Sequence, residues 1–189
     1  MHRLSLLEYC IESVGMSKGV TVWFTGLPCS GKTTIADKLA KILKERGRKV
    51  ERLDGDIVRK GLTRDLGFSK EDRDMNIERV TFVAKLLTRN DVIVLATFVS
   101  PYIARRQQTR EEIGEYVEVF VKASIEECIK RDVKGMYKKA LAGEIKNFTG
   151  VDDPYEEPPR PEIIVNTEAE SVDESVEKVL RYLEKKGYL

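Results

Sequence analysis

The chain has 189 residues, with 33 Lys and Arg against 32 Asp and Glu, and a formal net charge of +1. That length fits one domain or a compact core with a short appendage. The charge balance excludes a bulk-electrostatic case for binding nucleic acid or an anionic membrane surface. At 41% hydrophobic, with its apolar residues in short separated runs, the chain is globular in composition, and no run approaches the roughly 18 residues that span a bilayer.

Residues 1–18 carry an apolar patch interrupted by Glu8 and Glu12 and read as a short helical extension rather than a signal peptide. Residues 19–189 form the expected single domain. Cys10, Cys29 and Cys128 are an odd, irregularly spaced set with only one histidine in the chain, which argues against a disulfide framework or zinc site and for a reducing cytoplasm.

Val20 to Thr25 (VTVWFT) is a buried strand by its β-branched and aromatic content. A loop follows, then a helix with Ile35, Leu39, Ile42 and Leu43 at helical spacing, stopping near Gly47. Lys49 to Leu53 is a second strand closed by an Asp54-Gly55-Asp56 turn. An amphipathic helix over about 71–89 leads into the strand Val92 to Ala96. A polar helix from near Pro101, a strand at Tyr116 to Val121, a helix from about Ser124, a strand at Glu162 to Val165 and a helix over about 172–186 complete the order. Strands alternating with helices run parallel with crossovers, so the expected class is α/β, doubly wound. Residues 134–161 break the pattern. They are rich in Lys, Gly, Asp and Pro yet hold Tyr137, Phe148 and Tyr155, and are expected to form a lid.

Gly26-Leu27-Pro28-Cys29-Ser30-Gly31-Lys32-Thr33 fits G-x-x-x-x-G-K-[ST] between a strand and a helix. Backbone N–H groups of such a loop point into one concavity, toward which the helix directs its positive end. Lys32 is expected at the β and γ phosphates of a nucleoside triphosphate, and the Thr33 hydroxyl on Mg²⁺. A GTPase would need N-K-x-D, which is absent. A motor or transporter ATPase would need more chain and an apolar strand ending in Asp. A small-molecule kinase remains. At the end of the second strand, Asp54 and Asp56 suit a metal or an acceptor hydroxyl, and Arg59 an anion. Arg73, Asn76 and Arg79 lie near one face of a helix start, where they suit a sulfate or phosphate ester or, more blandly, form a solvated face.

GLPCSGKTT, DGDIVRKGLTRDLGFS, EDRDMNIERV, FVSPY, RDVKGMYKKALAGEIKNFTGVDDPYEEP and PEIIVNT together resemble the adenylylsulfate kinase (APS kinase) family over about residues 18–189. The phosphate loop is shared by many families; the lid and DGD strings are far more specific. The resemblance implies a three-layer P-loop kinase fold, with a mostly parallel sheet, helices on both faces and a lid. It also implies transfer of the γ-phosphoryl of MgATP to the 3′-hydroxyl of adenosine 5′-phosphosulfate, and a homodimer.

For ATP, the matched positions are Gly26, Leu27, Pro28, Cys29, Ser30, Gly31, Lys32, Thr33 and Thr34, with Arg131 over the adenine and Thr167 in the loop facing it. For the acceptor they are Asp56, Arg59, Phe68, Arg73, Asn76, Val99, Ser100, Lys134 and Phe148, with Lys138 and Asn147 also expected on the acceptor side. The two phenylalanines would hold the acceptor base, while the arginines and Asn76 face its phosphosulfate. Lys32, Asp54, Asp56 and Ser100 form the expected catalytic set, with Asp56 as general base and Thr33 and Asp54 at the metal. Ser100 matches a serine proposed in some members to be phosphorylated. In-line transfer needs only positioning and charge neutralisation, so hydrogen bonding near the acceptor is its expected role. Ile57, Ile103 and Asn147 depart from the usual Asn, Arg and Gly. A kinase for another small hydroxyl compound and a regulatory module that binds ATP without turnover are the competing readings.

Overall fold

The computed structural model describes residues 18–189; apart from Lys18, the expected amino-terminal extension, with Cys10, lies outside them. Strand β1 (Val20–Thr25) runs through residues 26–31 into helix α1 (Lys32–Glu45). Then come β2 (Val50–Asp54), the one-turn helix α2 (Gly55–Val58), α3 (Lys70–Thr88), β3 (Ile93–Thr97) and α4 (Ile103–Ile113). The chain closes with β4 (Tyr116–Lys122), α5 (Ile125–Arg131), α6 (Met136–Leu141), β5 (Ile163–Asn166) and α7 (Val172–Lys185). The sheet order is β2-β3-β1-β4-β5 and every neighbouring pair is parallel, as the alternation of strands and helices requires.

All six residues of β1 are buried, because crossover helices cover both faces of a parallel sheet. Side chains alternate across a strand. Val20, Val22 and Phe24 therefore enter one core with Ile35, Leu39 and Leu43 of α1 and Val176, Val179 and Leu183 of α7. Trp23 enters the opposite layer with Val58, Ile77, Val80, Phe98 and Tyr116. A smaller cluster of Leu27, Cys128 and Tyr137, flanked by Phe148 and Tyr155, seals the end of the sheet at the phosphate loop. No helix of the described residues is long and apolar enough to cross a membrane.

Two local expectations are corrected. The Asp54-Gly55-Asp56 turn is instead the start of α2, because the Asp54 carboxylate caps it by accepting from the Asp56 N–H at 3.0 Å. The 134–161 segment contains α6. Its start is fixed by Gly135 at φ 66 and by the Asp132 carboxylate, which accepts from the N–H groups of Tyr137 and Lys138 at 3.1 and 3.0 Å. Only Tyr137 and Ala140 of this helix are buried, too few to give a periodic signal. β2, β3 and β5 each lie one residue later than the apolar runs suggest, and the register sets Asp54 opposite Thr97 at the strand ends. Replacing Leu39, fully buried beneath β1, by Ala is expected to cost about 2–5 kcal/mol; thermal or urea unfolding with an unchanged midpoint would refute this packing.

Candidate active site

The phosphate loop is shaped by residues in left-handed conformations, Gly26 at φ 152, Cys29 at φ 61 and Gly31 at φ 103. A Cβ at Gly26 would lie 2.4 Å from the Val121 carbonyl oxygen, so this position has room for glycine only. Gly31 caps α1 without a side-chain bond, which leaves the helix's first N–H groups to face an anion. Lys32 is buried; its Nζ donates to the carbonyls of Gly26 at 2.8 Å and Leu27 at 2.7 Å, and more weakly to Ser30 Oγ at 3.4 Å. The expected reach toward phosphate is thus folded back: the ammonium takes the loop's own carbonyls as partners. Burial pulls its pKa down to about 8. Thr33 and Thr34 are exposed at the first turn of α1.

Asp54, at the end of β2, joins this loop to its neighbours. Its Oδ2 accepts from Thr33 Oγ1 at 3.0 Å and Thr97 Oγ1 at 2.8 Å, and its Oδ1 caps α2. Burial pushes its pKa up, but the bonds from Thr97, Thr33 and the Asp56 N–H outweigh it and hold the carboxyl below the usual range. A hydroxyl and an ionised carboxylate side by side are an all-oxygen donor set. That suits a hard divalent ion whose other ligands are water and phosphate.

On the acceptor side, Asp56 is exposed on α2 and forms an ion pair with Lys134 Nζ, which brings the root of the 134–161 segment to the end of β2. Among the described residues the side chain of Lys138 has no hydrogen bond or ion pair; its backbone N–H serves the Asp132 cap. Arg59 lies over the Phe68 ring at 4.3 Å, and Phe68 itself is 59% exposed. Asn76 Oδ1 accepts from the buried Thr63 hydroxyl at 2.7 Å, which fixes the amide on α3. Phe148 packs edge-on to Tyr137 at 5.0 Å. Asn147 takes the left-handed conformation, φ 56, which explains how it stands where Gly is usual: Asn tolerates that region better than other side chains. Ile57 and Ile103, the other departures, are exposed.

Two expected ligands are placed differently. Ser100, at φ 40, turns its hydroxyl into the layer beneath the sheet edge, accepting from Trp23 Nε1 at 3.0 Å and donating to Thr25 Oγ1 at 3.1 Å. It is 4% exposed, so its catalytic placement is not supported: the hydroxyl supports the strand ends. Arg73 does not point freely at an acceptor but grips residues 147–153, with Nη1 donating to Thr149 Oγ1 at 2.6 Å and Asp153 Oδ2 at 2.8 Å. The Val99 carbonyl accepts from Thr25 Oγ1 at 2.8 Å. On the donor side, Arg131 donates to Thr167 Oγ1 at 3.0 Å and Thr167 O at 2.9 Å, while Thr167 Oγ1 donates to Ser30 O at 2.9 Å. The two residues expected at the nucleotide base therefore meet beside the phosphate loop.

Sequence reasoning missed the framework that holds this edge. Arg106, 3% exposed, donates to Glu118 Oε1 at 3.0 Å, Ser100 O at 2.6 Å and Glu156 O at 2.7 Å. Tyr155 and Tyr137 tie the 134–161 segment to Thr25 and Pro28 through hydroxyl contacts of 2.9 and 3.1 Å. Only the aromatic content of that segment hinted at them.

A family model described as adenylylsulphate kinase matches residues 18–166. The adenylyl-sulfate kinase of Halothermothrix orenii is 62% identical over 172 residues, 91% of this chain and 93% of that protein. A probable adenylyl-sulfate kinase of Pseudomonas aeruginosa is 61% identical over 163 residues, 86% of this chain and 76% of that protein. The structure of the Mycobacterium tuberculosis APS kinase in complex with AMPPNP and APS superposes with a TM-score of 0.84 at 41% identity, over 88% of this chain and 98% of that one. A hexameric APS kinase from Thiobacillus denitrificans gives 0.71 at 36% identity, over 97% of this chain and 32% of that one.

The burial of Lys32 gives nucleotide binding a pH dependence. Bound phosphate favours the charged ammonium, so above about pH 8 the protein must take up a proton to bind ATP, and affinity falls as pH rises; below that, the lysine is already charged. Titration calorimetry in buffers of different ionisation enthalpy should show uptake approaching one proton at pH 9 and little at pH 7, about 1 unit either side of that pKa; equal uptake at both would overturn it.

Proposed function

The chain belongs to the adenylylsulfate kinase family, and on that premise we propose how its residues transfer the γ-phosphoryl of ATP to the 3′-hydroxyl of adenosine 5′-phosphosulfate, giving 3′-phosphoadenylylsulfate and ADP. The observation that carries the reading is the 3.0 Å bond from Thr33 Oγ1 to Asp54 Oδ2. It seats the phosphate loop against the element that bears Asp56 and Arg59, so donor and acceptor pockets share one wall and an in-line transfer needs no large displacement.

The loop amides and the α1 N-terminus cradle the donor phosphates, and Lys32 exchanges its loop carbonyls for the β and γ oxygens. Arg131 and Thr167 border the donor base. Thr33 and Asp54 would hold Mg²⁺, which would supply charge neutralisation on the phosphates. Asp56 takes the proton of the acceptor hydroxyl; Lys134, now paired with it, is placed to follow the transferred charge. Phe68 and Phe148 provide faces for the acceptor base, and Arg59 and the Asn76 amide face its phosphosulfate. Residues 134–161 act as the lid. The odd, irregularly spaced cysteines and the single histidine support a reducing cytoplasm as the working compartment.

A coupled assay should register ADP release only when adenylylsulfate and MgATP are both present; no release would overturn the assignment. Phe148→Ala should raise the KM for adenylylsulfate at least about tenfold while changing that for ATP far less, because stacking acts on the acceptor alone. Equal effects on both substrates would remove Phe148 from the acceptor pocket.

A further inference from the structure

β2 is an edge strand with a single backbone ladder, to β3, so the height of its end against α1 rests on side chains. Arg52 and Asp54, two residues apart, project from the same face of β2. Thr33 and Asp37, four residues apart, share a face of α1. Two residues of strand advance about 6.6 Å and four residues of helix about 6 Å, so two rungs of similar spacing can join the elements. Both are present. Thr33 Oγ1 donates to Asp54 Oδ2 at 3.0 Å, and Arg52 Nε donates to Asp37 Oδ1 at 2.9 Å.

The rest of the Arg52 guanidinium turns inward, to β3. Nη1 donates to Leu95 O at 2.7 Å, and Nη2, 3.9 Å from Asp54 Oδ2, donates weakly to Thr97 Oγ1 at 3.4 Å. A guanidinium can only donate, so the Thr97 oxygen accepts on that side. Its one proton is left for Asp54 Oδ2, at 2.8 Å. We propose that Arg52 is a positioning residue for the metal pair: through Asp37 it sets the height of α1, through Leu95 O and Thr97 it fixes the end of β2, and so it brings the oxygens of Thr33 and Asp54 to one ion. This rests on the proposed placement of Mg²⁺ at those two residues. Asp37 is 63% exposed, so its ion pair adds little stability. Arg52, 14% exposed and held by the Leu95 carbonyl, is the fixed member, and its effect is on register.

Calorimetric titration of ADP, in magnesium chloride and again in EDTA, reads the metal's share of nucleotide affinity without turnover. Arg52→Gln should cut the affinity gained from Mg²⁺ about tenfold while the affinity in EDTA stays within about twofold of wild type. Asp37→Asn, which removes one rung and leaves the β3 contacts, should cut the gain less. The double variant should lose no more than Arg52→Gln alone, as partners in one interaction do. Equal losses with and without Mg²⁺ would make Arg52 a general support of the fold, and an unchanged gain or multiplying effects would remove the rung; each overturns the proposal. A wild-type chain with no gain from Mg²⁺ would instead remove the metal assignment. Hydrogen exchange of the 33–37 amides then judges the register: about tenfold faster exchange in both single variants, with β1 unchanged, supports it, and no change overturns it.

Discussion

Three segments of the chain meet on the carboxylate of Asp54. The helix after the phosphate loop reaches it through Thr33, the end of β3 through Thr97, and α2 through the Asp56 N–H. Each of these donors sits at the carboxyl edge of a parallel sheet, where strand ends splay and loops open a crevice for ligands. A buried carboxylate without such donors would drift toward its neutral form; with three of them it is held below the usual carboxylate range. One charge therefore fixes the phosphate-loop helix, the end of β3 and α2 relative to one another.

The segment between α5 and β5 is held at both roots. Tyr137 is fully buried in the cluster beneath the phosphate loop, and Arg106 grips the Glu156 carbonyl from below the sheet edge. Arg106 pairs with Glu118, whose pKa is raised by burial despite that partner. Such a buried pair contributes little net stability once desolvation is counted, yet removing one partner strands the other. Its value here is geometric. The guanidinium joins Ser100 and Glu156 with the two carbonyl bonds that strand ends and loops leave unsatisfied. Both roots of the segment are thus fixed to the body, and its tip around Phe148 is held by Arg73 through Thr149 and Asp153.

The division between what is legible in a sequence and what is not follows from range. Alternating apolar runs, the glycines and the lysine of the phosphate loop, and the Asp54-Gly55-Asp56 string all act within a few residues of themselves. The parallel five-stranded sheet with helices between its strands agrees with what those patterns imply; the contacts of Asp54 with Thr33 and of Arg131 with Thr167 join segments distant in the chain. Short helices such as α6 escape, because a turn and a half with two buried residues has no period to read.

The sequence by itself determined the class of fold, the phosphate-binding loop and the family to which the chain is similar, since each is written in local spacing. Only the tertiary structure decided what the polar side chains hold. Ser100 reaches Trp23 across 77 residues, and Arg73 reaches Asp153 across 80. Arg106 finds Glu118 on a neighbouring strand. A hydroxyl or a guanidinium has the same composition whether it faces a ligand or a carbonyl, and its partner is chosen by which distant segments the packed sheet brings within 3 Å, about one hydrogen-bond length.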